Sequence, residues 1–122
     1  DETGLREIVA RGANRLSEVQ LIKEKNIMNR FMKEVLSTKG NLATYGLKQI
    51  EMALEMGAVE HLLVSEGFEK MPNIEQGTVK RLGEIAEKSK STVTIISTDS
   101  EEGISLQKAF GGLAAMLRYP IN

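Results

Sequence analysis

Ala43-Thr-Tyr-Gly-Leu-Lys-Gln-Ile-Glu-Met-Ala-Leu-Glu-Met-Gly-Ala-Val-Glu-His-Leu-Leu-Val-Ser65 contains a turn, a helix, a tight exit and a buried strand in succession. Tyr45-Gly46 breaks regular structure ahead of the helix. Leu47, Ile50, Ala53 and Leu54 recur at helical spacing and share one face. Gly57 follows, where a left-handed C-terminal cap suits glycine. Val59 to Val64 is short and apolar, as a strand covered on both faces should be. A helix handed through Gly-Ala to a buried strand is half of an α/β unit.

The flanking sequence continues the alternation. Upstream, Ile27, Met28, Phe31, Met32, Val35 and Leu36 form a wide apolar stripe, which predicts a helix from Glu24 to Thr38. Lys39-Gly40-Asn41 stops it, and Leu42 to Thr44 reads as a brief strand. Further upstream, Gly4 to Arg15 reads as a helix behind Thr3, and Arg15 to Lys25 as a linker with extended character. Downstream, Gly67 and Pro72 mark a loop. Asn73 is expected to cap a helix to about Ser89, with Val79, Leu82, Ile85 and Ala86 buried and Gly83 at mid-helix. Six of the seven residues Thr92 to Thr98 are β-branched, so the segment is a strand. Asp99 or Ser100 caps a helix of about Glu101 to Phe110. Gly111-Gly112 ends that helix and Leu113 to Tyr119 forms a last strand. The expected fold is therefore α/β, a mixed central sheet of about four strands with helices on both faces.

The totals bound the function. A chain of 122 residues is one domain, with room for a fragment of another. A net charge of −1 leaves no global basic field for nucleic acid. Without Cys there is no disulfide framework and no thiolate metal site, which fits a reducing cytoplasm. No apolar run approaches the ~20 residues of a membrane span. The opening Asp-Glu-Thr-Gly reads as the start of an excised C-terminal piece. Residues 1–20 are expected to be the last helix of a preceding domain plus linker, and 21–122 the domain proper.

Little in the sequence carries chemistry. His61 is the only histidine, and without a Ser, Cys or second His partner in pattern it reads as a strand residue facing a helix or solvent. Asp99, Glu101 and Glu102 read as helix N-terminal charge rather than a metal site. Gly111-Gly112 lacks the Lys-Ser/Thr of a phosphate loop and reads as a turn. Met28, Met32, Met52 and Met56 fall at helical spacing and read as core, leaving Met71 as the one expected at the surface. Arg6, Arg11, Arg15, Lys80, Arg81, Lys88 and Lys90 are interleaved with acids and read as solvated faces. No catalytic residue, cofactor site or metal site is assigned.

Four stretches in order carry a resemblance: Tyr45-Gly46, Ala53 to Ser65, Ile95 to Gly103, and Gly111 to Tyr119. Together they resemble the third, C-terminal domain of the Pelota and class-1 release factor superfamily. Gly4 to Gly12 resembles the last helix of that family's central domain. The resemblance implies a three-layer fold like that of the kink-turn-binding ribosomal proteins. Those proteins carry Gly-x-Asn-Glu where this chain has Gly46-Leu47-Lys48-Gln49, so the kink-turn signature is absent. The short, Cys-free connection from Ser65 to Thr92 leaves no room for the minidomain of archaeal release factors, which favours an archaeal-type Pelota.

By that resemblance the domain serves ribosome rescue in the cytoplasm, in mRNA surveillance and no-go decay. Its implied partners are a translational GTPase of the elongation factor one-alpha type, the ABC-type recycling ATPase and the ribosome, and the implied state is a monomer. Nuclease activity, with its divalent metal, is ascribed to the family's N-terminal region and not to this segment. The alternatives are a release-factor third domain and an RNA-binding module. Partner contact is expected from the loop through Gly67, Phe68, Met71 and Pro72, on the reasoning that a core cannot easily take both Phe68 and Met71.

Overall fold

The computed structural model describes residues 17–37 and 41–121. The helix expected over Gly4–Arg15, with its three arginines, and the Lys39-Gly40 stop lie outside the described residues. Helix α1 spans Glu18–Leu36, β1 Ala43–Tyr45, α2 Leu47–Glu55, β2 Val59–Ser65, α3 Thr78–Lys88, β3 Thr92–Ile96, α4 Glu101–Ala109 and β4 Leu113–Leu117. The sheet order is β1-β4-β2-β3. β4 pairs antiparallel with both β1 and β2, while β3 lies parallel to β2. The sheet is mixed and four-stranded, as the alternation predicts.

The two central strands show why the layers form. Along β4, Leu113, Ala115 and Leu117 enter one apolar cluster, and Ala114 and Met116 enter the other. β2 divides likewise, with Leu62 and Val64 on the first side and Leu63 on the second. Successive strand side chains point to opposite faces, so a run apolar at every position needs cover on both. Helices α2 and α3 supply one cover through Ile50, Ala53, Leu54, Leu82 and Ala86. Helices α1 and α4 supply the other through Met28, Phe31 and Leu106. Each such Leu or Ile, fully buried, contributes roughly 1.5–3 kcal/mol of transfer free energy.

Helix α1 begins six residues ahead of the expected Glu24, so the segment read as an extended linker is helical from Glu18 onward. Ser17 caps it, accepting a hydrogen bond from the Gln20 amide at 3.1 Å. Ser17-x-x-Gln20 is a capping-box spacing. Glu24 explains the docking of this turn. It is buried, and its Oε1 accepts from the Ser97 amide at 3.0 Å and the Ser97 hydroxyl at 3.1 Å. Hydrogen bonds to a carboxylate contribute about 1.5–3 kcal/mol each, enough to pin α1 against the end of β3.

Helix α3 starts late. Asn73, expected as its cap, sits at φ 69°, and the helix begins at Thr78 after Gly77 at φ 88°. The cap comes from elsewhere: Glu69 accepts from the Val79 amide at 2.6 Å. A carboxylate there also meets the positive end of the helix dipole.

Candidate docking surfaces

Two surfaces stand at opposite ends of β2, whose seven residues span roughly 20 Å. The first surrounds the loop after β2. Phe68 opens a 3₁₀ turn, Phe68–Lys70, and its ring is buried in the α2/α3 core. The expectation that a core cannot easily take both Phe68 and Met71 is therefore corrected, since Phe68 is core and Met71 packs partly against the same cluster. Gly112 makes the room: at φ +81° it carries no Cβ, and one added there would lie 3.1 Å from the Phe68 ring and 3.0 Å from Met71 Sδ. Met71 is only partly buried, and Pro72 is exposed. With Gly67, Lys70, Gln107 and Lys108 these two residues line an open groove of about 540 Å³. The loop thus presents Gly67, Met71 and Pro72 outward, on an anchor made by Phe68.

The second surface lies at the other end. Met52 on α2 and Met56, the C-cap that follows it one turn on, are 48% and 46% exposed, against the expectation that both are core. Beside them Tyr119, 43% exposed, donates its hydroxyl to the Met56 carbonyl at 2.7 Å. Arg118 fixes the neighbouring chain ends. Its guanidinium donates to the carbonyls of Gly57, Ser89 and Lys90 at 2.8 to 3.1 Å. Those are the C-terminal ends of α2 and α3, where a cation meets unpaired carbonyls. The result is a rigid base under two flexible, polarizable thioethers and one amphipathic ring, a composition that suits an adaptable protein contact. The signal was legible, because Met52 and Met56 fall off the Leu47, Ile50, Ala53, Leu54 stripe.

The remaining candidate residues are structural. His61 faces α1, with Nε2 2.7 Å from Thr94 Oγ1. It borders a groove of about 430 Å³ lined also by Gln20, Lys23, Glu24, Ile27 and Arg30. Burial pulls its pKa below the ordinary 6.5, Arg30 adds to the fall, and Glu60 opposes it. Arg30 is itself engaged by Glu60 at 2.9 and 3.0 Å. A histidine with a depressed folded pKa is protonated more readily in the unfolded chain. Stability is therefore full above 6.5 and falls as pH drops from 6.5 toward the folded pKa. Urea midpoints measured from pH 7.5 to 5 should show this acid slope, and His61→Gln should flatten it; an unchanged slope would contradict the assignment.

Ser100, not Asp99, caps α4, accepting from the Gly103 amide at 3.0 Å. Among the described residues no group of three His, Asp or Glu side chains is placed to hold a metal ion. Arg81 pairs with Glu51 at 2.6 Å. No helix among the described residues is long and apolar enough to cross a membrane.

Comparison with known proteins agrees with this geometry. The family model described as eRF1 domain 3 matches residues 21–121. The peptide chain release factor subunit 1 of Archaeoglobus fulgidus is 39% identical over 154 residues, covering 98% of this chain and 37% of the relative. This chain thus spans little more than a third of that relative. Since 98% of 122 residues is about 120, roughly 34 of the 154 aligned positions belong to the relative alone.

Among solved structures, the C-terminal domain of a peptide chain release factor from Methanosarcina mazei aligns with TM-score 0.75 and 29% identity, over 98% of this chain and 96% of that one. Archaeoglobus fulgidus Pelota aligns with TM-score 0.74 and 32% identity, over 86% and 32%. A ribosome-bound archaeal Pelota described with ABCE1 gives 0.70 and 32%, over 98% and 31%. Saccharomyces cerevisiae Dom34, described as interacting with Hbs1, gives 0.72 and 27%, over 81% and 28%. A two-faced sheet with this strand order and a family match across nearly all of its described length leave one assignment: the chain belongs to the eRF1 domain 3 family.

Proposed function

We propose that this domain is the partner-docking platform of a cytoplasmic, ribosome-associated factor, and that it performs no chemistry itself. One observation carries the docking reading: Met52, Met56 and Tyr119 remain exposed together on a base clamped by Arg118. The loop groove at Gly67, Met71 and Pro72 is a second, smaller contact, positioned by buried Phe68. Two surfaces at opposite ends suit two partners in succession, a translational GTPase of the elongation factor one-alpha type and an ABC-type recycling ATPase. The Pelota described with ABCE1 and the Dom34 described with Hbs1 support that pairing. Modest, polar-rimmed contacts of this kind permit exchange.

Within the family we propose the release-factor branch as the first reading. The release-factor reading rests on sequence, the Archaeoglobus fulgidus release factor being 39% identical over 98% of the chain; among solved structures the two branches align alike, the Methanosarcina mazei release-factor domain at 29% identity and Archaeoglobus fulgidus Pelota at 32%. The Pelota branch is the one that the short Ser65–Thr92 connection favours. The second reading, a Pelota-type rescue factor, keeps that one observation: about 34 positions of the release factor have no counterpart here. A full-length protein that carries Gly-Gly-Gln in its central domain and releases peptide at a stop codon supports the first. One that lacks the tripeptide and only dissociates stalled ribosomes supports the second.

Docking is tested with purified chain and the cognate GTPase. The double variant Met52→Glu/Met56→Glu should lose at least about tenfold in affinity, about 1.4 kcal/mol, with an unchanged unfolding midpoint. Undiminished binding by both this variant and Met71→Glu would remove both surfaces from the reading.

A further inference from the structure

The groove after β2 takes its walls from distant parts of the chain. One wall is the 3₁₀ turn and its flanks, with Gly67, Lys70, Met71 and Pro72; the other is the end of α4, with Gln107 and Lys108. Both walls are fixed. In the turn the Lys70 amide donates to the Gly67 carbonyl and the Met71 amide to the Phe68 carbonyl, each at 3.1 Å, and the Phe68 ring anchors the turn in the core. The end of α4 is tied down by the Gly112 amide, which donates to the Leu106 carbonyl at 2.8 Å. A recess of about 540 Å³ between ordered walls has the size of a ligand cleft, and an occupant loses little free energy in ordering it.

The charges select the occupant. Lys70 and Lys108 are exposed, one on each wall. Among the described residues neither forms an ion pair, whereas Lys25, Arg30 and Arg81 each have an acidic partner. The loop's own carboxylates are committed elsewhere. Glu69 accepts from the Val79 amide, and Glu66 accepts from the Thr98 amide and hydroxyl at 3.1 and 3.2 Å. The rest of the lining is the Met71 thioether, the Pro72 ring and the Gln107 amide, an adaptable and largely aliphatic strip. Single-stranded RNA asks for aromatic platforms on which bases stack, and the groove is lined by none.

We propose that this groove takes an acidic, aliphatic peptide segment of a partner protein. Two carboxylates of the segment meet Lys70 and Lys108, and an aliphatic side chain between them rests on Met71 and Pro72. The proposal rests on the docking reading of this loop and adds the chemistry of what docks there. Exposed charge pairs are weak one by one, so affinity needs both lysines and the apolar contact together, and it falls with salt.

The test is fluorescence anisotropy of a labelled peptide of repeated Gly-Asp-Leu-Asp units, titrated with the purified chain. Saturable binding is expected, with a dissociation constant between about 10 μM and about 1 mM that rises severalfold as ionic strength goes from about 0.05 M to about 0.3 M. Lys70→Glu/Lys108→Glu should abolish it with an unchanged circular dichroism spectrum. The same variant should take up a peptide of repeated Gly-Lys-Leu-Lys units instead, which loss of folding cannot mimic. Met71→Ser should weaken the acidic peptide while keeping the salt dependence. No saturation by about 1 mM overturns the proposal. So does equal binding of the basic peptide to the unsubstituted chain, which leaves only an apolar contact. Tighter binding of a uridine oligomer, removed by the same double substitution, also overturns it and assigns the groove to RNA. The probe contains no GTPase, so a groove that fails here leaves the docking platform to be judged separately, by Met52→Glu/Met56→Glu.

Discussion

Phe68→Ala lowers the unfolding free energy by about 3–4 kcal/mol in urea titration, while Met71→Ala, three residues on, costs about 1 kcal/mol. The reason lies in where each side chain ends. Phe68 is 1% exposed and packs within the cluster of Val64, Leu113 and Ile50, under the backbone of Gly112. Removing the ring opens a cavity walled on one side by a β-strand, which cannot collapse to fill it. Met71 is only partly buried and flexible, so its loss is absorbed. The variant's effect on partner capture would follow its folded fraction, which separates an anchor from a contact. A cost below about 1 kcal/mol for Phe68→Ala would contradict this assignment.

Gly103→Ala and Gly83→Ala should move stability in opposite directions, although both glycines lie inside helices. In α4 a Cβ on Gly103 would fall inside van der Waals contact of the Ser97 carbonyl oxygen and lie 3.0 Å from the Ser97 carbonyl carbon. Those are backbone atoms, and Ser97 is held from its other side by Glu24. Neither neighbour yields cheaply, so α4 must lift from the sheet, with Ile96 and Leu106 losing their packing. A loss of about 3 kcal/mol or more, or failure to fold, is expected. In α3 a Cβ on Gly83 meets nothing within 4 Å. There alanine brings only its better helix propensity, and a gain of about 0.5–1 kcal/mol is expected. Thermal midpoints of the two variants, taken together, check this; changes of the same sign would contradict the close approach of α4 to the end of β3.

The layered fold was legible because its cause is local. Leu113 to Leu117 is apolar at every position, and no soluble strand is so unless both faces are covered. The organising stretch likewise announces its helix and strand by spacing alone. Ser17-x-x-Gln20 also held a start signal for α1, obscured by an apolar pattern there that fits neither period. Other features depend on residues distant in the chain. Asn73 has the chemistry of a cap, but Glu69 performs that role by reaching the Val79 amide. Phe68 looked like a surface residue because nothing beside it in sequence shows that Gly112 clears its pocket. The exposure of Met52 and Met56 could be worked out from the helical wheel. That exposed methionines on a fixed base make a contact surface could not, because the base is built by Arg118 from the far end of the chain.

Amide shift mapping of the ¹⁵N-labelled chain, titrated with its translational GTPase, tests the docking reading most directly. Perturbations should concentrate on Met52 to Ala58 and on Arg118 and Tyr119, with weaker changes near Gly67 and Met71. Saturating GTPase that leaves those amides unmoved, or shifts only the Thr92–Ile96 edge, would contradict it.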